Sequence, residues 1–449
     1  MATWTRARLG VIATCALGAA VLAPTVALAS EDPLPRRGYL GVQLGQGRVS
    51  GEMIVIGVTP GSGADAAGLR ASDVILSIND QPLGRAIMRT LHDGDEAIVR
   101  IRRGGDEIDL PITMHASEEL PPAGVEVERS EVTTQEGYRL RTIMTMPENK
   151  AELEQLPAVF FIQGISCASI DPPAHSPSPF FNVINELTQR GYATLRIEKP
   201  GTGDSEGPDC MELGFDEELA GYRAGLAQLM VDHRVDPDRV YIFGISMGGI
   251  MAPILADEFP IAGVGVYGTG VRSWHEYIVD TTRGQYEMAG ADPVAVESAM
   301  RQLIAVTSRI FVDGLSPTEI IAAYPDLAAT VTSMSGGDVV WSRHVRFHQE
   351  LNDHDLAHAW SRVDNNVIVI HGEYDWVALR EDADVIVRIV NDVAGGEAWL
   401  YEPTGMDHGM TKHDSREDSY IRHGQGKDGA EGLVATIDAW MQSTQQKGG

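Results

Sequence analysis

From residue 38 to about residue 115 the apolar positions fall in short runs broken by turn residues. Tyr39-Leu40-Gly41-Val42-Gln43-Leu44, Met53-Ile54-Val55-Ile56-Gly57-Val58 and Asp73-Val74-Ile75-Leu76-Ser77-Ile78 have strand length, and Asn79-Asp80 closes the last of them with a turn. The pattern predicts a small β-rich unit over 38–115. Residues 116–124, with two prolines and two glutamates, read as a polar linker. Beyond them strand and helix patterns alternate, which predicts an α/β unit over 125–443 with a mostly parallel sheet. A β pair, Val125–Thr134 and Tyr138–Met146, precedes apolar strands predicted at Ala158–Ile162, Tyr192–Ile197, Arg239–Phe243, Ile261–Tyr267, Asn366–Ile370 and Glu397–Tyr401. The helical period fits Pro179–Arg190, Leu213–His233, Met247–Glu258, Ala383–Val393 and Glu431–Ser443.

Between the strands ending at Tyr267 and starting at Asn366 lie about 100 residues, where connections of 2–6 are usual. The pattern therefore predicts an inserted helical lid over about 270–362. Its predicted helices, such as Ala295–Phe311 and Arg343–Trp360, mix Met, Ile, Trp and Phe with charge, as a cover over an apolar pocket would.

The N-terminus carries Arg6 and Arg8, an apolar run from Leu9 to Leu22, and then Ala27-Leu28-Ala29. This is the layout of a signal peptide cleaved after Ala29, so residues 1–29 are expected to be removed on export to the periplasm or the exterior. The run of about 14 residues is short of the roughly 20 that span a bilayer. Cleavage removes Cys15 and leaves Cys167 and Cys210 in an oxidising compartment, where a disulfide between them is the expected state. The formal charge of −29 comes from acids spread along the chain, with no basic stripe to neutralise phosphates. That composition argues against a nucleic-acid partner.

Two segments match G-x-S-x-G: Gly203-Asp204-Ser205-Glu206-Gly207 and Gly244-Ile245-Ser246-Met247-Gly248. The motif carries chemistry only in a strand–turn–helix context, where the turn exposes a strained serine. Ser246 follows the apolar run Val240-Tyr241-Ile242-Phe243 and precedes a helix start rich in small residues. Ser205 lies in a loop ahead of Pro208. Ser246 is thus the candidate nucleophile. A serine hydroxyl needs a base to take its proton and a carboxylate to orient that base. With the order nucleophile, acid, histidine, the acid falls in His371-Gly372-Glu373-Tyr374-Asp375 and the histidine in Gly405-Met406-Asp407-His408-Gly409. Asp375 is the expected acid, with Glu373 as competitor. His408 is the expected base, and His413 and His423 are expected to be solvated.

The first unit resembles a PDZ domain of the bacterial exported-protease kind. Gly38-Tyr39-Leu40-Gly41-Val42, Pro60-Gly61-Ser62-Gly63-Ala64-Asp65-Ala66-Ala67-Gly68-Leu69 and Ser72-Asp73-Val74-Ile75 carry the resemblance, with Ser72 where glycine is usual. It implies that the amides around Leu40 and Gly41 receive a peptide carboxylate and that the following strand pairs with the peptide. Use of the domain as an internal brace is the other reading, and both stay open. The region from Val125 to Met441 resembles the α/β-hydrolase superfamily, nearest its esterases and its serine aminopeptidase-like and acyl-peptidase-like branches. Gln163-Gly164-Ile165-Ser166, Glu198-Lys199-Pro200-Gly201-Thr202-Gly203-Asp204-Ser205, and the three motifs around Ser246, Asp375 and His408 carry that resemblance. It implies an oxyanion hole made by the N–H groups of Ile165 and Met247. Gln163-Gly164 stands where His-Gly is common, which leaves a backbone donor intact.

Three signals are set aside. Gly263-x-Gly265-x-x-Gly268 has the form of a dinucleotide fingerprint but lies within a strand. His344/His348 and His354/His358 are spaced i, i+4 without a third ligand and read as surface histidines. Trp274, Trp341 and Trp360 read as lid packing. The implied chemistry needs no cofactor and no metal. It is hydrolysis of a carboxylic ester through an acyl-enzyme, with a serine peptidase, to which the PDZ domain docks peptides, as the alternative. A PDZ binding protein on an inactive hydrolase scaffold is the third reading.

Overall fold

A computed structural model describes residues 33–46, 52–116, 121–148, 155–171 and 178–445. The expected signal peptide and Cys15 lie outside the described residues.

Eight strands make the large sheet: β1 (Val125–Thr133), β2 (Arg139–Pro147), β3 (Leu156–Ile162), β4 (Ala193–Ile197), β5 (Val235–Ile245), β6 (Gly263–Tyr267), β7 (Asn366–Ile370) and β8 (Glu397–Tyr401). Their spatial order is β1-β2-β4-β3-β5-β6-β7-β8. Strand β2 runs antiparallel to both neighbours, and the pairs from β4 through β8 are parallel. This is the α/β-hydrolase fold.

The period of two along each central strand sorts its side chains between two cores. Phe160, Ile162, Ile242, Val264 and Val367 enter one cluster, while Val159, Phe161, Tyr241, Phe243 and Ile368 enter the other. Both faces are covered, which is why these strands read as unbroken apolar runs. Helices α1 (Pro179–Gln189) and α4 (Ala430–Gln445) cover one face, and α2 (Phe215–Met230) and α3 (Met247–Glu258) the other.

The lid enters after β6 and returns at β7. It begins with helices Trp274–Met288 and Pro293–Phe311 and contains a three-stranded meander, Ser335–Gly336, Val339–Val340 and Arg343–His344. The single helix expected over 343–360 is not formed. Arg343 and His344 are strand, one helix runs Val345–Asp353, and the next, Leu356–Trp360, starts where Asp355 accepts from the His358 N–H. His348 is buried, not a surface residue: its Nδ1 accepts from Trp274 Nε1 at 2.9 Å and its Nε2 lies 2.9 Å from the Val340 carbonyl.

The N-terminal unit is a five-stranded antiparallel sheet, Val42–Gln46, Met53–Val58, Val74–Ile78, Glu96–Arg103 and Asp106–Thr113, in chain order. Val55, Ile78, Val99, Ile101 and Ile112 form its own core. The strand Val42–Gln46 is at the sheet edge. The polar linker is not the sole join to the catalytic unit. Arg141 Nη2 donates to the Leu34 carbonyl, Arg36 pairs with Asp171 and Asp204 at 2.9 and 2.8 Å, and the Arg37 N–H donates to Asp204.

Candidate active site

Ser246 stands between β5 and α3 with φ 54° and ψ −118°, a left-handed backbone that a non-glycine residue adopts only under constraint. The constraint is visible at the flanking glycines. A Cβ on Gly244 would lie 2.3 Å from the Gly248 carbonyl oxygen, and one on Gly248 would lie 2.1 Å from that of Ile162. The turn closes only without side chains at those positions. The Ser246 N–H donates to the Tyr267 carbonyl at 2.8 Å, which ties the elbow to β6.

Asp375 follows β7 and His408 follows β8, so all three side chains come from the carboxyl ends of strands in one parallel sheet, with β6 between those of Ser246 and Asp375. Asp375 Oδ2 lies 2.8 Å from His408 Nδ1, while its Oδ1 accepts the N–H groups of Val377 and Ala378. Glu373 faces elsewhere and accepts from the Gly405 N–H at 2.8 Å. Burial disfavours the imidazolium of His408, but the Asp375 carboxylate beside it outweighs burial and raises His408 above the usual histidine value. Burial likewise disfavours the charged Asp375, yet His408 and the backbone donors hold it below the usual carboxylate range.

Beside Ser246 is a cavity of about 90 Å³ lined by Ile165, Met247, Ile250, Trp274 and Tyr277, among others. Ile165 and Met247 thus border the same space as the serine. Trp274 lines the cavity and stacks on Tyr277 at 4.6 Å, whereas Trp360 is fully buried. Gly268 joins the two halves of the site. It lines the cavity, its φ is 59°, and a Cβ there would lie 2.8 Å from both Asp375 Oδ2 and His408 Nδ1. The sequence marked this glycine only as part of a fingerprint to be rejected.

The rival residues have structural partners. Ser205 is buried, donates to the Glu198 carbonyl and accepts from the Arg141 N–H. His413 is not solvated: its ring is buried between Asp407 and Asp418, each at 2.9 Å. His423 is partly exposed, with its ring centroid 6.3 Å from that of His408.

Cys167 and Cys210 are joined by a disulfide, which fastens the loop after Ile165 to the loop after β4. The N-terminal unit reaches the same place. Arg85 Nη2 donates to the Cys167 carbonyl at 2.6 Å, and Arg89 Nη2 to that of Gly207 at 2.6 Å. At the expected peptide-binding turn, Gly41 has φ 84°, and a Cβ there would lie 2.2 Å from the Ser62 side chain. Leu40 beside it is buried. Among the described residues there is no cluster of three or more potential metal ligands, and no helix long and apolar enough to cross a membrane.

An elbow serine, an aspartate–histidine pair and a hydrolase sheet define a serine hydrolase. The PDZ domain family matches residues 30–112, and the X-Pro dipeptidyl-peptidase (S15) family matches residues 136–391. The latter covers more than half of the chain, which therefore belongs to the X-Pro dipeptidyl-peptidase (S15) family. Among solved structures, similarity extends to Est1E from Butyrivibrio proteoclasticus with ferulic acid bound, at 15% identity and TM-score 0.45 over 70% of this chain and 99% of that one. The Pyrococcus furiosus esterase Pf2001 is 13% identical with TM-score 0.43, over 73% and 97%. The α/β-hydrolase GrgF from Penicillium sp. sh18 is 12% identical with TM-score 0.45, over 71% and 99%. No curated protein matches the chain.

Proposed function

We propose that the protein is an exported esterase that cleaves carboxylic esters of compact acyl groups through an acyl-enzyme on Ser246. His408 takes the serine proton as the acyl carbon is attacked and returns it to the departing alcohol. It then activates the water that releases the acid. Asp375 holds the imidazole in the tautomer with Nδ1–H toward it and stabilises the imidazolium. The N–H groups of Ile165 and Met247 receive the negative oxygen of each tetrahedral intermediate. Export is part of this reading, supported by the signal-like N-terminus and the disulfide. So is a PDZ groove at Leu40, Gly41 and the edge strand after them, open to a peptide terminus.

The observation that carries the ester reading is the lining of the cavity. An apolar cavity of about 150 Å³ holds one benzene, so about 90 Å³ suits an acyl group of a few carbons. Among the described lining residues Arg272 is the one charged side chain, and it is engaged by Asp382 and Asp280. A dipeptidyl-peptidase has to hold the ammonium of a free N-terminus, and among the described residues no carboxylate lines this cavity to receive it. The peptidase reading is favoured by the family match and by a second cavity of about 490 Å³. It shares Ala378 with the first and is lined by Asp280, Glu287 and Glu381. Turnover of p-nitrophenyl acetate and butyrate beside Ala-Pro-p-nitroanilide separates the two. We expect kcat/KM for the esters to exceed that for the anilide by about 100-fold or more, with Ser246→Ala removing both. The reverse order of substrates would overturn the ester reading.

A further inference from the structure

The peptide unit between Gly164 and Ile165 has two ends. One is the Ile165 N–H, assigned above to the oxyanion hole, and the other is the Gly164 carbonyl. Among the described residues every peptide bond is trans, so the two groups point in opposite directions. Ile165 borders the cavity beside Ser246, and the Gly164 carbonyl accepts a hydrogen bond from Lys199 Nζ at 2.6 Å. Lys199 is ion-paired with Glu218 Oε1 at 2.8 Å, and Glu218 Oε2 with Arg343 Nη2 at 2.5 Å. Arg343 comes from the lid, and its Nη1 donates to the next carbonyl of the same loop, that of Ile165, at 3.1 Å. The side chains of Lys199, Glu218 and Arg343 are wholly buried, and the Arg343 guanidinium rests 3.9 Å over the Phe347 ring.

Two successive carbonyls of one loop are therefore held by two buried cations that share one carboxylate. Burying three ions costs several kcal/mol each, and apolar replacements of buried ion clusters are often as stable or more so. Fold stability is a poor reason for the cluster. We propose that Lys199, fixed by Glu218 and Arg343, is a positioning residue for the oxyanion hole. It holds the Gly164–Ile165 peptide plane by its carbonyl so that the N–H faces the cavity, and its charge polarises that amide toward the developing oxyanion. The proposal rests on the assignment of Ser246 as nucleophile. It also makes the lid, through Arg343, part of the support of the hole.

The charged groups facing Lys199 are Glu218 from α2, Arg343 from the lid and the neighbouring Glu198. Tyr222 of α2 lies near the same groups. Burial lowers Lys199 to about 8 despite the pull of Glu218. The ammonium is thus complete below that pH and lost as pH rises through it.

The test is Lys199→Met in the full chain beside Ser246→Ala, assayed for kcat and KM on p-nitrophenyl acetate and for inhibition by phenylboronic acid. A boronate adduct on the serine is tetrahedral and places an oxygen in the hole. We expect kcat to fall by about 10- to 100-fold, less than the roughly 100- to 1000-fold that follows outright loss of one donor, because the amide is misaimed and not removed, while KM changes by less than about threefold. Boronate affinity should fall in step with kcat. A kcat within about threefold of wild type, or a lost kcat with boronate affinity intact, would overturn the proposal. Should Lys199→Met fail to fold by circular dichroism, Arg343→Met decides, because it removes the lid's hold on Glu218 and on the Ile165 carbonyl. Its kcat and boronate affinity should fall together while KM is held, and a kcat within about threefold of wild type would overturn the proposal. Turnover that survives Ser246→Ala would remove the nucleophile assignment itself, and the proposal with it.

Discussion

Gly268→Ala tests the site at the point where its two halves meet. Alanine at this position meets two separate difficulties. The first is the backbone: φ of 59° is left-handed, and holding an L-residue there costs about 1–2 kcal/mol. The second is local. The new methyl would sit 2.8 Å from both Asp375 Oδ2 and His408 Nδ1. Ordinary contact begins near 3.5 Å, so the pair has to retreat by about 0.7 Å. Asp375 is buried and tied to Val377 and Ala378, while His408 is more exposed, so the imidazole moves. A misplacement approaching 1 Å costs on the order of 100-fold in rate. Gly268→Ala should therefore lower kcat/KM for p-nitrophenyl acetate by about 100-fold. Its melting temperature should fall by only a few degrees, as a loss of 1–2 kcal/mol implies for a domain of this size. Gly432→Ala, in the helix Ala430–Gln445 with open space at its Cβ and away from both cavities, is the control and should keep full activity. If Gly268→Ala retains kcat/KM within about threefold of wild type in the ester assay, the aspartate–histidine pair is not held as described and the reasoning fails.

Three further predictions address the active site and its support. Asp375→Asn should cost about 10⁴-fold in kcat, whereas Glu373→Gln should cost far less because its carboxylate serves the Gly405 N–H. Since Asp375 raises His408 and burial alone lowers it, the acid limb of the wild-type pH–rate profile should lie above the ordinary histidine value and move to lower pH in Asp375→Asn. A limb that does not move would show that another group titrates. Arg36→Ala should lower stability by about 1–2 kcal/mol, because Asp171 and Asp204 keep Arg129 and Arg141 as partners. Small-ester turnover should change by less than about threefold, because Arg129 still holds Asp171 and with it the end of the loop, and an unchanged denaturation midpoint would show that the N-terminal segment does not brace the catalytic unit.

What could be read in the sequence follows the range of the forces involved. All eight strands of the large sheet were visible, because burial on both faces leaves unbroken apolar runs in the inner strands, and burial on one face leaves apolar residues between exposed ones in the edge strands β1 and β8. The elbow at Ser246 was legible for the same reason: Gly244 and Gly248 are a local response to backbone crowding. Partners brought together by the chain path were not. His348 and His413 look like surface residues because Val340, Trp274, Asp407 and Asp418 contribute to their burial only after folding. Lys199, Glu218 and Arg343 are spread over 145 positions, and nothing in the sequence around any one of them announces the other two. The break in the lid helix was within reach, since Asp355 is a good N-cap residue.

The loop from Gly164 to Asp171 shows how the parts of the chain converge. Lys199 and Arg343 hold its first two carbonyls, the Cys210 disulfide fastens Cys167, and Glu198 accepts the N–H groups of Ile170 and Asp171. From the N-terminal unit, Arg85 reaches the Cys167 carbonyl and Arg36 the Asp171 carboxylate. A loop has few internal hydrogen bonds to hold its shape, and an oxyanion donor is effective only if it is aimed before the charge forms. Contacts from the lid, the sheet and the N-terminal unit supply that rigidity from outside. The polar linker at 116–124 reads as a point of detachment for the N-terminal unit, but a chain begun at Pro121 would lose Arg36 and Arg85 from a loop that also carries Ile165, the donor proposed for the oxyanion hole. The edge strand Val42–Gln46 belongs to the same small domain as Arg85. A peptide bound at that edge would therefore act on a body that already touches the oxyanion loop, so bracing and docking are compatible uses of one domain.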